Sequence, residues 1–317
     1  MIDQYGRSIT YMRVSVTERC NLRCRYCMPE NGIVKKRHED MLTEDELIMA
    51  IEAAASLGIR KLRITGGEPL VKKNILSICR RAAEINGIEE LCMTTNGTLL
   101  KNYAKLLREA GVQRLNISVD TLDPDKYEYI TRYGEIDDFY AGLEAALEAG
   151  YEKIKLNVVL IGGFNDDEIR PLSELTLRYP VDVRFIELMP MLDNPSFDER
   201  AFIPYTRVLD VLPELAPVNP DGGVAKLYSL PNSKGNIGLI SPVSAHFCGE
   251  CNRIRLTADG KIKPCLHSAE ELSLKGLDKD GMLAQLKKAI WHKPKWHGDL
   301  DAQHHSQAGR NMNQIGG

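Results

Sequence analysis

Short apolar runs recur along the chain with helical patterns between them. Six of them, Tyr11–Val16, Lys61–Thr65, Leu91–Thr95, Arg114–Val119, Lys153–Leu160 and Asp182–Leu188, have middles dominated by Val, Ile and Leu. Runs of this kind predict strands of a parallel sheet buried on both faces. The segments between them carry helix start and stop signals. Thr43 with Glu46 spells a capping box, and Gly58 follows the last apolar residue of that helix. Asp123 before Pro124 predicts a cap followed by a proline in the first helical position. Ala141–Ala149 is a strong helix former closed by Gly150, and Asn165 with Glu168 predicts the start of another helix. Six strand-then-helix units favour a parallel α/β fold.

Polar or Gly-rich strings follow these strands: Thr65-Gly66-Gly67-Glu68-Pro69, Thr94-Thr95-Asn96-Gly97, Ser118-Val119-Asp120 and Glu187-Leu188-Met189-Pro190. In a β/α barrel, such strand ends build the active face. Six strands are too few to close an eight-stranded barrel. The expectation is therefore an incomplete (β/α)6 barrel of the TIM type, open on one side and in need of a cover. Near residue 215 the pattern changes, and Pro and Gly become frequent through Pro213–Gly223. Short strands are predicted at Ala225–Leu230 and Asn236–Ile240, then a hairpin of Arg253–Thr257 and Lys261–Pro264 around Asp259-Gly260. Helices are predicted at Glu270–Lys275 and Gly281–His292. This divides the chain into a partial barrel, 1–215, and a smaller C-terminal α+β domain, 216–317, that covers the open side. The stretch 194–223 offers no usable signal.

Composition narrows the function. The chain has 317 residues, 43% hydrophobic and 27% charged, with a net charge of −3. It is not globally basic, so nucleic acid is not expected as a partner. No apolar run has the length of a membrane span, and the first residues lack the pattern of a secretory signal. The expected location is cytoplasmic, and there the eight cysteines read as metal ligands or redox groups rather than disulfides.

Six of those cysteines form two triplets. Cys20, Cys24 and Cys27 are spaced Cys-x3-Cys-x2-Cys, and Cys248, Cys251 and Cys265 are spaced Cys-x2-Cys-x13-Cys. Three protein ligands leave one metal position open for a substrate. Spacing leaves zinc as an alternative at both. At the second triplet, His267 would complete a closed Cys3His zinc site, and zinc and an iron–sulfur cluster are equally compatible there. Cys79 and Cys92 read as buried core thiols, and His304-His305 as solvated tail. No Gly-x4-Gly-Lys-[Ser/Thr] loop is present. Arg13, Arg63 and Lys155, however, interrupt apolar strands, where a lone charge is costly. Arg253 and Arg255 alternate onto one face of a later strand. Side chains aimed into an open barrel, toward an anion, would resolve that cost.

The first triplet, with Tyr26 just before its third cysteine, resembles the signature of the radical S-adenosylmethionine superfamily. Longer strings resemble one of its families, the GTP 3′,8-cyclases of molybdenum cofactor biosynthesis (the MoaA proteins), over nearly the whole chain. They are Arg13-Val-Ser-Val-Thr-Glu-Arg-Cys-Asn-Leu-Arg-Cys-Arg-Tyr-Cys-Met-Pro29, Phe247-Cys-Gly-Glu-Cys-Asn-Arg-Ile-Arg-Leu-Thr-Ala-Asp-Gly-Lys-Ile-Lys-Pro-Cys-Leu266, Lys293-Pro294 with His297, and Asn311-Met-Asn-Gln-Ile-Gly-Gly317. The resemblance implies two [4Fe-4S] clusters, one per triplet, and makes His267 no ligand. It implies S-adenosylmethionine contacts at Tyr26, Gly67, Ser118 and Met189. GTP would be held by Arg13, Arg63, Thr94, Lys155, Arg253, Ile254 and Arg255, with Gly316 and Gly317 inserting toward the pocket. The implied reaction is cleavage of S-adenosylmethionine to a 5′-deoxyadenosyl radical and loss of the ribose 3′ hydrogen of GTP. Closure onto C8 of guanine and reduction then yield 3′,8-cyclo-7,8-dihydro-GTP. An electron donor and a downstream pyranopterin-forming enzyme are the expected partners, and a homodimer the expected assembly. Two rivals are a two-cluster radical enzyme that modifies a peptide, and a zinc-stabilised binding module without turnover.

Overall fold

The computed structural model describes residues 1–34, 36–191, 200–219, 223–301 and 303–316. Six strands, β1 (Tyr11–Ser15), β2 (Lys61–Thr65), β3 (Glu90–Thr95), β4 (Arg114–Ser118), β5 (Ile154–Leu160) and β6 (Val181–Glu187), lie side by side in sequence order and run parallel. Five helices lie between the first five strands: α1 (Glu44–Ser56), α2 (Ile75–Ala83), α3 (Leu100–Glu109), α4 (Pro124–Thr131) and α5 (Ile136–Glu148). The capping box at Thr43 and the Asp123–Pro124 start form as expected. Together these elements make the incomplete α/β barrel.

The strands are two-faced rather than buried alike on both sides. Met12, Val14, Leu62, Ile64, Met93, Leu115, Ile117, Leu156, Val183 and Phe185 join the hydrophobic core beneath the helices. The alternate positions, Tyr11, Arg13, Lys61, Arg63, Thr94, Asn116, Lys155 and Arg184, face the other way, into the barrel. Alternation places a charge in an apolar run without placing it in the core.

The C-terminal region extends the same sheet at both edges. β7 (Ala216–Pro217), β8 (Lys226–Ser229) and β9 (Ile237–Ile240) lead onto β6, with β9 parallel to it. At the other edge β10 (Arg253–Leu256) runs parallel to β1, followed by β11 (Lys261–Lys263) and β12 (Leu272–Ser273). The expected 215/216 boundary thus falls at an edge strand of one twelve-stranded sheet. Three short helices, α6 (Ile169–Ser173), α7 (Leu175–Arg178) and α8 (Thr206–Val211), flank β6, and α9 (Lys279–Trp291) packs on α1. A last turn, α10 (Met312–Ile315), ends the described chain. No helix among the described residues is long and apolar enough to cross a membrane.

Two local expectations fail. Asn165 does not start a helix. Its side chain bonds Asp120 O at 2.7 Å, Val159 O at 2.8 Å and Ile161 N at 2.9 Å, tying two strand ends together, and helix begins only at Ile169. Glu270–Lys275 is not helical either: Leu272–Ser273 pairs with β11. So short a segment gains more from an existing strand edge than from nucleating a helix.

Candidate active site

The first cysteine loop leaves β1 and is pinned from below by the end of α4. Arg23 N donates to Thr131 O and Arg25 N to Ile130 O, both at 2.9 Å, and Arg132 Nη1 reaches Arg23 O at 2.5 Å. Within the loop Cys27 N and Met28 N both donate to Cys24 O, at 2.9 and 3.0 Å, and Leu22 N approaches Cys20 Sγ at 3.4 Å. Burial pushes the Cys20 thiol up to about 11. Burial and then the neighbouring Cys20 push Cys27 up to about 12, and Cys24 rises through burial, Cys27 and Asp120. Three thiols that resist ionisation together need a cationic centre to become thiolates.

Gly67 crosses this loop closely. A Cβ there would lie 2.3 Å from Arg19 O, so only glycine fits. Glu68 is buried and accepts from Thr95 Oγ1 (2.7 Å), Asn96 N (2.7 Å) and Leu70 N (3.0 Å); burial outweighs these bonds and raises its carboxyl to about 7. Asn96 Nδ2 points at Cys20 Sγ, 3.9 Å away. Tyr26 donates to the buried Asp120 at 2.7 Å, and burial lifts that carboxyl to about 6. Ser118 ends β4 opposite Asn157, and Met189 packs with Met191, Ala308, Ile315 and Met312, where the end of the chain returns.

The second triplet lies at the opposite flank of β1. Cys248 and Cys251 bracket a short turn before β10, and Cys265 follows β11. Repulsion from Cys265 and Cys251 adds to burial in raising Cys248. At Cys251 burial is outweighed by Lys293 and Arg253, which lower it. All eight cysteines are free thiols, and the six of the triplets are half-buried. Cys79 is a core thiol on the buried face of α2, and Cys92 is fully buried on the barrel side beside Arg63. His267 is buried and bonded to Ser306 Oγ at 3.0 Å.

Between the triplets runs a row of cations. Arg255, Arg13 and Arg63 are direct neighbours across β10, β1 and β2, and Arg253, Tyr11 and Lys61 form the row behind them. Arg63 Nε donates to the Tyr11 hydroxyl and its Nη1 to Thr94 at 3.3 Å. Burial and then Arg253 lower Arg255 to about 10. Burial, Arg255, Arg63 and Arg253 together hold Arg13 well below the ordinary guanidinium range. Lys155 faces the barrel further round, 3.6 Å from Asp182. Of the residues expected around a nucleotide, Ile254 differs: its side chain lies in the core, so only its main chain can belong to the site. Gly317 lies outside the described residues.

The end of the chain joins the two halves. Arg255 Nη1 donates to Gly316 O at 2.5 Å, and Gly316 lies against Thr65 and Ser15. Three residues earlier the Asn313 side chain donates to Glu18 O at 2.9 Å, and its backbone N–H bonds the Cys27 thiol. Arg310 holds this turn in place through Asp259 (2.9 Å) and Glu271 (2.6 Å), with Lys36 bridging Asp259 and Glu18. Arg310 escaped sequence reasoning, and Glu68, Asp120 and Asn313 entered it only as members of longer strings without a role of their own, because each acts through a neighbour distant in sequence.

Each triplet supplies three free, half-buried sulfur donors, and three such donors leave one position of a bound metal centre open.

Residues 14–176 match the model of the Radical SAM superfamily, and residues 181–298 match Molybdenum Cofactor Synthesis C. Among solved structures, the peptide-bound SuiB of Streptococcus suis superposes with a TM-score of 0.68 at 14% identity, over 92% of this chain and 66% of that one. The AdoMet-bound anSMEcpe gives 0.58 at 15% identity, over 86% of this chain and 80% of that one. These likenesses establish the fold alone. The chain is a radical S-adenosylmethionine protein, a class whose cofactors are S-adenosylmethionine and an iron–sulfur cluster. It is 46% identical over its full length, and theirs, to the GTP 3′,8-cyclases of Alkaliphilus oremlandii and Heliobacterium modesticaldum, and 42% identical to that of Clostridium botulinum. It belongs to the GTP 3′,8-cyclase family.

Proposed function

We propose that this chain cyclises GTP to 3′,8-cyclo-7,8-dihydro-GTP, an early step of molybdenum cofactor biosynthesis, using S-adenosylmethionine and two [4Fe-4S] clusters. Cys20, Cys24 and Cys27 would hold one cluster, and Cys248, Cys251 and Cys265 the other. When bound, the cluster and S-adenosylmethionine supply the radical that removes the ribose 3′ hydrogen; that chemistry belongs to the cofactors. The chain orients the reactants and excludes water. Gly67 offers its main chain to the methionyl end of S-adenosylmethionine, with Tyr26, Ser118 and Met189 lining the rest. Arg13, Arg63, Arg253, Arg255, Lys155 and Thr94 bind GTP, and a polyanion relieves the mutual repulsion of the guanidinium row. Gly316 closes the pocket.

The observation that carries this reading is the single turn of α10. It sets Asn313 on Cys27 and Gly316 on Arg255, so one turn of chain touches both the first triplet and the cation row. Residues 1–215 would then serve S-adenosylmethionine, and 216–317 would supply the second cluster. An electron donor, a downstream pyranopterin-forming enzyme, a homodimeric state and a cytoplasmic location belong to the same proposal. The test is anaerobic incubation with reductant, S-adenosylmethionine and GTP, followed by chromatography of nucleosides. GTP-dependent release of 5′-deoxyadenosine is expected, with about eight irons per chain falling to about four in Cys248→Ala. Cluster-replete protein that releases none would end the proposal.

A further inference from the structure

A short strap, residues 293–297, covers the second triplet, and Arg7 ties it down. Arg7 Nη1 donates to Cys248 O at 2.8 Å and Lys295 O at 3.1 Å, and Nη2 to Pro294 O at 2.7 Å, while Asp3 neutralises it at 2.6 Å. Inside the strap the buried Lys293 Nζ bonds Arg253 O (2.8 Å), Pro264 O (2.7 Å) and the Cys251 thiol, and the His297 backbone N–H bonds the Cys248 thiol. On the outside stands Trp296, its ring 5.6 Å from that of His246. An exposed indole is thus one residue and one hydrogen bond away from a cluster-ligand sulfur.

The surrounding surface carries exposed aromatics and three exposed lysines, with the carboxylates Glu250 and Asp299 exposed beside them. Ile2 (61%), Tyr5 (48%), Trp291 (52%) and Trp296 (45%) are exposed, all in or beside segments that Arg7 links. From Gly281 to Gly298 there are four lysines and no Asp or Glu, in a chain whose net charge is −3. Lys287, Lys288 and Lys295 are exposed and have no carboxylate partner among the described residues; nearby Glu270 faces His292 at 3.6 Å. Exposed aromatics beside unpaired lysines mark a protein interface. A twofold contact with a second copy would set this basic patch against itself, whereas an acidic partner is attracted to it.

We propose that this face docks a small acidic one-electron carrier protein, which delivers its electron at the second triplet. The proposal rests on the cyclisation reading, whose balance needs two outside electrons: one to cleave S-adenosylmethionine, and one, with a proton, to close the cyclised product radical. At the docked face the carrier loses one electron and the iron–sulfur group held by Cys248, Cys251 and Cys265 gains it; no bond or proton moves there.

The test uses the reconstituted holoenzyme and a bacterial flavodoxin as the acidic probe, with binding followed by calorimetry under anaerobic conditions. Wild type should bind, more weakly as salt rises. The triple variant Lys287→Glu, Lys288→Glu, Lys295→Glu should bind about tenfold or more weakly, while a control pair on the far side, Lys101→Glu with Lys105→Glu, should bind as wild type. Trp296→Ala should slow flavodoxin-driven bleaching of the cluster absorbance. In all of these, iron content, circular dichroism and dithionite-driven 5′-deoxyadenosine release should stay at wild-type levels. Unchanged binding by the triple variant, or no binding by wild type, overturns the docking proposal, as does a triple variant whose sedimentation shifts from dimer to monomer. Loss of dithionite-driven turnover in wild type, with binding intact, would instead count against the cyclisation reading.

Discussion

Arg255 Nη1 donates to the backbone carbonyl of Gly316 at 2.5 Å, fastening the last turn of the chain inside the barrel. Gly316 has φ +73°, and a Cβ there would lie 2.9 Å from Thr65 Cγ2. Gly316→Ala therefore meets both a steric and a backbone penalty. Cyclised product should fall by about tenfold or more, with the melting temperature nearly unchanged, because the strain falls on a terminal turn. Product chromatography beside thermal melting checks this, and wild-type turnover in the variant would remove the tail from the site.

The guanidinium row predicts how the apoprotein responds to nucleotides. Arg255, Arg13 and Arg63 repel one another across adjacent strands, so a bound polyphosphate stabilises the fold. At a hundred times its dissociation constant GTP should add about 2.7 kcal/mol, and guanosine far less. Arg63→Ala and Arg255→Ala should each weaken GTP binding about tenfold or more. Equal thermal shifts from GTP and guanosine would show that the phosphates are held elsewhere.

Gly67→Ala forces a methyl to within 2.3 Å of Arg19 O. The main chain cannot give way easily, since Gly67 N bonds Thr17 O and Glu68 N bonds Arg19 O, both at 2.8 Å. The expected cost is about 1–3 kcal/mol, together with loss of iron from the adjoining loop. Calorimetry and iron analysis test it; a variant with normal melting and full iron content would refute the close approach.

The staple at Arg310 has a pH signature. Burial pushes Asp259 up, but Lys36, Thr257 and Arg310 outweigh it and hold the carboxyl at about 2. Its folded value lies below the unfolded one, so the stabilisation is complete above about pH 4. It is lost as pH falls toward about 2, an effect on the order of 2 kcal/mol. Arg310→Met should flatten the melting curve of the apoprotein between pH 5 and pH 2. An unaltered acid slope would show that Asp259 draws its stabilisation from elsewhere.

Much of this molecule was legible before its structure. The β2 run Lys61–Thr65 is bounded in the fold as in the sequence, and the cap at Thr43 forms as spelled. Both features depend on residues within a few positions of each other. Asn165 and Glu270–Lys275 were misread for the opposite reason: strand ends distant in sequence engage the Asn165 side chain, and a free strand edge engages the Leu272–Ser273 backbone, in place of a helix.

Local spacing alone determined the two cysteine triplets, the strand–helix alternation and the charges interrupting apolar strands, since each is a pattern carried by neighbouring residues. Only the tertiary structure decided that β10 lies beside β1, which sets Arg255 next to Arg13 from 242 positions away in the chain. It alone decided that α10 returns to touch Cys27 and Arg255 together. Such contacts exist only once a closed core has met the entropy cost of bringing distant segments together, and no local pattern records that choice.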